Sequence, residues 1–290
     1  MRININGELH DANTALIPVL DRGFLYGDSI YEVIRTYEGR PFALEEHLAR
    51  FERSAKSMDI PLPDRAWLVG EIARTLQAGG CAESYCRIIV TRGNGPISLD
   101  PSAATDPLTV IVVQEFTPFP EAMFEQGVRA AIPSVRRNLR SAVDPAIKSG
   151  NYLNSILALG EARRAGFDDA LMLDVEGRVT EATTSNVFTL RADGVLCTPR
   201  LETGILEGVT RGLVLQLAEQ QGLPCEECDL YPDDLVGASE VMLTSTLREA
   251  MAVVAVGDSV VGRGRPGPMA ARLRRMLHDY ALESVRSEAH

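Results

Sequence analysis

Leu44, Leu48, Phe51, Ala55 and Met58 step by 4, 3, 4 and 3 residues, a spacing that puts their apolar side chains on one stripe of an α-helix. That helix stands between two segments of another kind. Ser29–Tyr37 before it and Cys86–Thr91 after it are rich in β-branched and aromatic residues and read as strands. A second helix over Trp67–Ala78, closed by Gly79-Gly80, and a third apolar run at Leu108–Gln114 continue the alternation. A chain that interleaves helices with buried strands must pack helix on sheet. This excludes helix bundles and all-β sandwiches and sets the fold class as α/β, of α+β type.

The chain has 290 residues, more than one typical domain needs. Two closely spaced prolines in Thr117-Pro118-Phe119-Pro120 stiffen an extended segment and mark a boundary. The expected division is an N-terminal α/β domain over 1–117, a linker over 118–126 and a larger domain over 127–290. The first opens with a strand at Arg2–Ile5, a turn at Asn6-Gly7 and extended chain to Leu20, and contains a long loop at Arg92–Asp106. In the second, strands are expected near Val128–Ile132, Ala170–Asp174, Asn186–Leu190, Glu240–Thr244 and Ala252–Val256. Helices are expected near Tyr152–Ala165 and Thr210–Gln221, a hairpin over Asp193-Gly194, and a tail helix over Met269–His290.

The formal net charge of −11 argues against nucleic acid or an anionic membrane as the main partner. The N-terminus lacks the charged start and apolar run of a secretory signal. No stretch reaches the roughly 18 apolar residues of a membrane span. Cys81, Cys86, Cys197, Cys225 and Cys228 are odd in number and scattered, which fits a reducing cytoplasm better than a disulfide framework. Cys225-Glu-Glu-Cys228 has redox or metal spacing. No second Cys/His pair lies near it, so no metal is expected and the segment reads as a surface loop.

The basic residues are 27 arginines and two lysines, Lys56 and Lys148. A lysine kept where arginine is the usual cation raises the question of what arginine could not do there. Lys148 lies in Asp144-Pro-Ala-Ile-Lys-Ser-Gly-Asn-Tyr152, between a Pro-containing loop and a helix. Burial disfavours a charged amine, and a neutral amine is what a Schiff base requires; arginine stays charged. The alternative is a lysine at a helix entrance with its head in water. Leu206-Glu-Gly-Val-Thr210-Arg leads into a helix whose first N–H groups, with the Thr210 hydroxyl, form a phosphate cup, or else an ordinary capped helix. Thr244-Ser-Thr246 offers similar donors after a strand. Arg50, one residue off the apolar stripe, is either a phosphate fork or a solvated arginine. Glu181, opening Glu-Ala-Thr-Thr-Ser-Asn-Val-Phe, either holds a ring nitrogen protonated or fixes a turn. Together these are the groups that pyridoxal phosphate needs.

Six segments in order carry a resemblance. They are Asp21-Arg-Gly-Phe-Leu-Tyr-Gly-Asp-Ser-Ile-Tyr-Glu-Val-Ile-Arg35, His47-Leu-Ala-Arg50, Ile147-Lys-Ser-Gly-Asn-Tyr152, Glu181–Phe188, Leu206–Arg211 and Thr244–Glu249. From about Ile3 to Val256 the chain resembles the fold-type IV pyridoxal-phosphate enzymes. That group holds branched-chain and D-amino-acid aminotransferases, (R)-amine transaminases and aminodeoxychorismate lyase. The resemblance implies two domains, the second barrel-like, with pyridoxal 5′-phosphate as cofactor. It implies that Lys148 forms the Schiff base and moves the Cα proton, and that Glu181 pairs with the pyridine nitrogen. Arg50, Val209, Thr210, Ser245 and Thr246 would hold the phosphate, Leu206 would pack on the ring and Tyr152 would bond the 3-hydroxyl. The expected reaction is a ping-pong transfer from an amino donor to a 2-oxo acid, in a homodimer with active sites near the interface.

Within the group, Tyr85-Cys-Arg87 fits the Tyr-x-Arg pattern of branched-chain enzymes, where the pair helps hold a substrate carboxylate. Tyr31 and Arg35 fit their aromatic-plus-Arg pattern. Val33 departs, standing where those enzymes usually carry glycine and resembling the D-amino-acid and (R)-amine enzymes instead. Ile97 and Leu99 replace the Arg-x-His carboxylate trap of D-amino-acid aminotransferases. Arg92 is either a mobile carboxylate anchor or a solvated loop residue, and Leu247 joins the substrate side. The branched-chain reading is favoured, with D-amino-acid or (R)-amine transamination and then the lyase as alternatives. A carrier without turnover would be marked by a lost Lys148 or Glu181, and both are present.

Overall fold

The computed structural model describes residues 1–287. The chain forms two compact units. The first comprises Met1–Thr117, Ile147–Asn151 and residues 281–287; the second comprises Pro118–Ala146 and Tyr152–Tyr280.

The first unit contains β1 (Arg2–Ile5), β2 (Glu8–Asp11), α1 (Arg22–Tyr26), β3 (Ser29–Tyr37), β4 (Arg40–Pro41), α2 (Leu44–Met58), α3 (Arg65–Gly79), β5 (Ser84–Thr91) and β6 (Thr109–Glu115). Its strands form an antiparallel sheet in the order β2-β1-β6-β5-β3-β4. Asn6 and Gly7, at φ 48° and 91°, make the tight β1–β2 turn, a conformation that asparagine and glycine tolerate best. The predicted extension to Leu20 stops at Asp11, whose carbonyl accepts the N–H groups of Thr14 and Ala15 and turns the chain away.

Strand alternation gives this sheet two unlike faces. Ile30, Ile34, Cys86, Ile88, Val90, Ile111 and Val113 form a buried core with Leu48, Phe51 and Ala55 of α2 and Leu68, Ile72 and Leu76 of α3. Tyr31, Val33, Arg35, Tyr85, Arg87 and Ile89 alternate with them and take the other face. There the register sets Val33 opposite Arg87 and Arg35 opposite Tyr85. Burying the helix-side face leaves this second face to carry chemistry.

The second unit contains α4 (Glu121–Gln126), β7 (Val128–Ala131), α5 (Leu153–Arg164), β8 (Asp169–Leu173), β9 (Val179–Ala182), β10 (Asn186–Leu190), β11 (Leu196–Pro199), α6 (Val209–Gln220), β12 (Cys225–Cys228), α7 (Pro232–Val236), β13 (Glu240–Ser245), β14 (Glu249–Val256), β15 (Ser259–Val260) and the part of α8 (Pro268–Ser287) up to Tyr280. The sheet runs β12-β11-β10-β13-β14-β7-β8-β9, with β15 on β14. It curls until β9 lies back against β10 and β11, giving a half-barrel. Leu171, Val179, Val187, Cys197, Val241, Leu243, Met251 and Val253 fill its core.

Several expectations are corrected. Residues 118–126 are not a bare linker: Pro120 caps α4, and Phe119, Met123 and Phe124 pack on the half-barrel core. Ile147–Asn151 belongs with the first unit rather than the second, and Ser149 makes an isolated antiparallel bridge to Ile30. Cys225–Cys228 is not a surface loop. It is β12, the edge strand, parallel to β11, which takes up the backbone groups on one of its sides. Val179–Ala182 is a strand that the polar Glu181 sequence conceals. The tail helix is seen from Pro268 to Ser287, and its expected end at His290 lies outside the described residues.

Candidate active site

Lys148 is held by its backbone before its side chain does anything. Its N–H donates to Ser54 Oγ at 3.1 Å, and its carbonyl accepts the Tyr31 N–H at 2.9 Å. Gly150 N–H bonds the Ser29 carbonyl at 2.8 Å. A Cβ on Gly150 would stand 2.4 Å from Ser29 Oγ, so only glycine lets the two segments approach this closely. The half-buried lysine projects to the second sheet face, where Nζ lies 3.5 Å from the Tyr31 hydroxyl and 4.6 Å from the ring centroid. Arg87 lies over the same ring at 4.1 Å.

Tyr31, Val33, Arg87 and Lys148 are thus brought together, with Tyr85 and Arg35 further along the same face. Arg35 lies between aromatic rings, 4.3 Å over Tyr37 and 4.2 Å over Phe116, and pairs with Glu83 at 3.6 Å. Arg92 is tied to three groups. Its Nε bonds Asp28 at 2.8 Å, and its terminal nitrogens bond the Met58 and Asp59 carbonyls at 2.6 and 2.9 Å. Burial would raise the Asp28 carboxyl, but the Arg92 and Arg22 guanidiniums beside it hold it below the usual range.

Arg50 is buried, not solvated. It forks onto Glu32 of β3, Nε to Oε1 at 2.7 Å and Nη2 to Oε2 at 2.8 Å, and His47 Nδ1 lies 2.8 Å from the same Oε2. Burial alone would raise the Glu32 carboxyl. The Arg50 charge and the hydrogen bonds from Arg50 and His47 outweigh it and hold the group well below the carboxylate range. Burial pushes the His47 imidazole down, against the pull of Glu32 and together with the Arg50 and Lys148 charges. Glu32 and His47 are functional neighbours that sequence reading missed. Their signal was present: a carboxylate between Ile30 and Ile34 on the helix-side face needs a buried cation, and His47 sits one turn before Arg50.

In the second unit Glu181, at the end of β9, is buried. Oε1 pairs with Arg137 Nη2 at 2.7 Å, and Oε2 accepts the Leu206 N–H at 3.1 Å and Asn186 Nδ2 at 3.2 Å. Asn186 also donates to the Leu206 carbonyl at 2.9 Å. Gly208 caps α6, and a Cβ there would lie 1.9 Å from Asn186 Oδ1. Only glycine therefore brings the start of α6, with Val209 and Thr210, to Glu181. Arg137 and Asn186 had no role in the sequence reading; a buried carboxylate again implies such partners. Ser245 ends β13 and Thr246 and Leu247 lie in the turn to β14; Thr244 Oγ1, on β13, is buried with no hydrogen-bond partner among the described residues. Tyr152 is the N-cap of α5.

The first unit thus holds a lysine beside a tyrosine and near an arginine, and the second a braced carboxylate at a helix N-terminus. The amino-transferase class IV family model matches residues 29–256, and the chain belongs to that family. It is an aminotransferase. Over 280 residues it is 37% identical to a putative branched-chain-amino-acid aminotransferase of Methanocaldococcus jannaschii, covering 96% of each chain. It is 33% identical over 286 residues to the D-alanine aminotransferase of Bacillus licheniformis, covering 98% of this chain and 99% of that one. The structure of a branched-chain amino acid aminotransferase from T.th. with pyridoxamine 5′-phosphate superposes with a TM-score of 0.91 at 32% identity, covering 97% of this chain and 94% of that one.

Proposed function

We propose that this aminotransferase uses pyridoxal 5′-phosphate on Lys148 to move an amino group from a branched-chain type of amino acid to a 2-oxo acid, in two half-reactions. The observation that carries the reading is Lys148, its segment held by three backbone hydrogen bonds and its amine set against Tyr31, over whose ring Arg87 lies. The groups present fit the cofactor. The first unit offers a primary amine on a backbone-held segment; the second offers a buried carboxylate braced on both oxygens, an α6 N-terminus capped by glycine and a buried Thr244 hydroxyl without a partner among the described residues.

Bound pyridoxal phosphate supplies an aldehyde for amines and a ring that accepts the electron pair left when Cα loses its proton. Lys148 would act as the general base for the substrate's Cα proton, its amine held near that carbon. Tyr31 limits where its Nζ can swing. Glu181, braced by Arg137, Asn186 and the Leu206 N–H, would pair with the ring nitrogen. Arg50, Val209, Thr210, Ser245 and Thr246 would take the phosphate, Leu206 a ring face and Tyr152 the 3-hydroxyl. Arg87, with Tyr85, would hold the substrate carboxylate. Arg92, with three groups already bonded, is left out of that role. Val33, Arg35 and Leu247 would shape the side-chain pocket.

A second reading, D-amino-acid transamination, rests on Val33, which directly opposes Arg87 and narrows the face on which a carboxylate would lie. Homodimer formation is supported by Leu153, Ile156 and Leu157, which expose one apolar stripe of α5. The described cysteines are all free, which fits a reducing cytoplasm. No described helix is long and apolar enough to cross a membrane.

The test is a panel of single donors, L-leucine, L-glutamate, D-alanine and (R)-1-phenylethylamine, each added alone to the cofactor-loaded protein. Loss of the cofactor's visible absorbance with L-leucine and L-glutamate supports the reading. Response to D-alanine or the amine alone overturns the substrate assignment. Release of pyruvate from aminodeoxychorismate without an oxo-acid acceptor marks a lyase.

A further inference from the structure

Asp169 opens β8 and is buried, yet none of the roles above uses it. Its Oδ1 accepts the Thr183 hydroxyl at 2.6 Å, the Ala170 N–H at 2.8 Å and the Thr183 N–H at 3.4 Å. Its Oδ2 accepts Arg248 Nη1 at 2.6 Å. Thr183 lies in the turn between Glu181 and Asn186. Arg248 lies in the turn after Thr246, and its own N–H bonds the Ser245 carbonyl at 3.2 Å. One carboxylate therefore grips both turns.

A charge in the interior costs several kcal/mol unless it is paired and hydrogen-bonded, and an apolar group of similar size often stabilises a fold as well or better. Fold stability alone therefore gives weak reason for a carboxylate here. What the charge does supply is direction, since it fixes an arginine at one oxygen and a hydroxyl at the other. Ser185 Oγ, in the first turn, and Thr244 Oγ1, on β13 just before the second, are both buried and both without a hydrogen-bond partner among the described residues. Buried hydroxyls without a protein partner beside both turns are available to an outside acceptor.

We propose that Asp169 is a positioning residue. Through Thr183 it sets the turn that orients Glu181, and through Arg248 it sets the turn that presents Ser245 and Thr246. It thereby fixes the separation between the partner of the ring nitrogen and the donors to the phosphate. The proposal rests on the cofactor reading above. Groups that orient a ligand's direct partners change its affinity by about tenfold or more when removed.

The two arms are cut separately in the full-length protein, and the equilibrium affinities for pyridoxal phosphate and for pyridoxal, which lacks the phosphate, are measured for each variant. Arg248→Gln is expected to lower the preference for the phosphorylated form by about tenfold while leaving pyridoxal binding close to wild type. Thr183→Val, which keeps the ion pair and the fold, is expected to weaken both ligands alike and leave the preference intact. Asp169→Asn is expected to show both losses, and the Asp169→Asn/Arg248→Gln double variant no greater loss of preference than Asp169→Asn alone. A lowered melting temperature with both affinities unchanged in Arg248→Gln and Thr183→Val overturns the proposal, since a purely structural ion pair would give that result. If the wild-type protein binds pyridoxal as tightly as pyridoxal phosphate, the cofactor reading itself fails and the proposal falls with it.

Discussion

Glu32 and Arg50 meet fork to fork between β3 and α2, at 2.7 and 2.8 Å, with the carboxylate wholly excluded from solvent. A two-point bond of this kind fixes the plane of the guanidinium as well as its distance. It gives α2 one rotational setting on the sheet. That setting also carries Ser54, one turn beyond Arg50, to the Lys148 N–H. The lysine and the proposed phosphate ligand are therefore indexed by the same helix.

Removing one partner of such a pair leaves a buried charge alone, which typically costs about 3–5 kcal/mol. Glu32→Gln keeps the volume and loses the charge, so its unfolding free energy in urea should drop by about that amount. A change below about 1 kcal/mol, the range of exposed pairs, would show that the pair is solvated in solution.

His47 gives a pH signature separate from Glu32. Its imidazole is held below the ordinary value of 6.5 by burial, so the folded protein stays unprotonated where the unfolded chain takes up a proton. Stability therefore falls as pH drops from about 6.5 toward the folded value, by at most about 1.4 kcal/mol per pH unit. Glu32, whose pKa is lowered, contributes stability that is complete above the ordinary carboxyl value of 4.5 and is lost only below it. The stability difference between wild type and His47→Asn should shrink as pH is lowered from 7 to about 5.5. The groups facing His47 in this window are Glu32, Arg50 and Lys148. A difference that does not move with pH would mean that His47 titrates freely in the folded protein.

Lys148→Ala should retain the circular dichroism of the wild type and lose turnover altogether, because the backbone bonds that hold its segment remain while the amine is gone. Full activity in that variant would remove Lys148 from the chemistry. Arg87→Ala should reduce kcat/KM for L-leucine far more than for an amine without a carboxylate, and equal losses would show that Arg87 only supports the Tyr31 ring.

Much of the fold was legible because it follows short-range rules. The 4-3-4-3 stripe gives α2 its observed span of Leu44–Met58, and β-branched alternation gives β3 its span of Ser29–Tyr37. The elements that escaped are those settled by pairing. β9 is a strand because β8 lies beside it, and β12 because β11 does. The candidate site divides in the same way. Lys148, Glu181 and Arg50 stand out as residue types, whereas their partners Ser54, Arg137 and Glu32 are 94, 44 and 18 residues away in the chain. Arg92 illustrates the limit. Its loop position suggested solvent or substrate, and only tertiary contact with the end of α2 shows it bonded.

Val33 tests substrate choice directly. It opposes Arg87 in the β3–β5 register, so the two side chains leave the same face with Cβ atoms about 5 Å apart. A branched side chain there occupies space next to the group proposed to hold the carboxylate, without altering the helix-side core. Val33→Gly would open that space at some cost to strand stability, about 1 kcal/mol. If the branched-chain reading holds, the variant should keep L-leucine as donor, and its KM for bulkier L-donors should fall more than kcat changes, because the added room affects binding rather than the proton transfer at Lys148. If Val33 instead enforces the opposite hand, the wild type should prefer D-alanine, and Val33→Gly should narrow the ratio of D- to L-donor kcat/KM. Steady-state kinetics with both enantiomers of alanine and leucine separate the two, and a ratio unchanged by the substitution would exclude Val33 from the pocket.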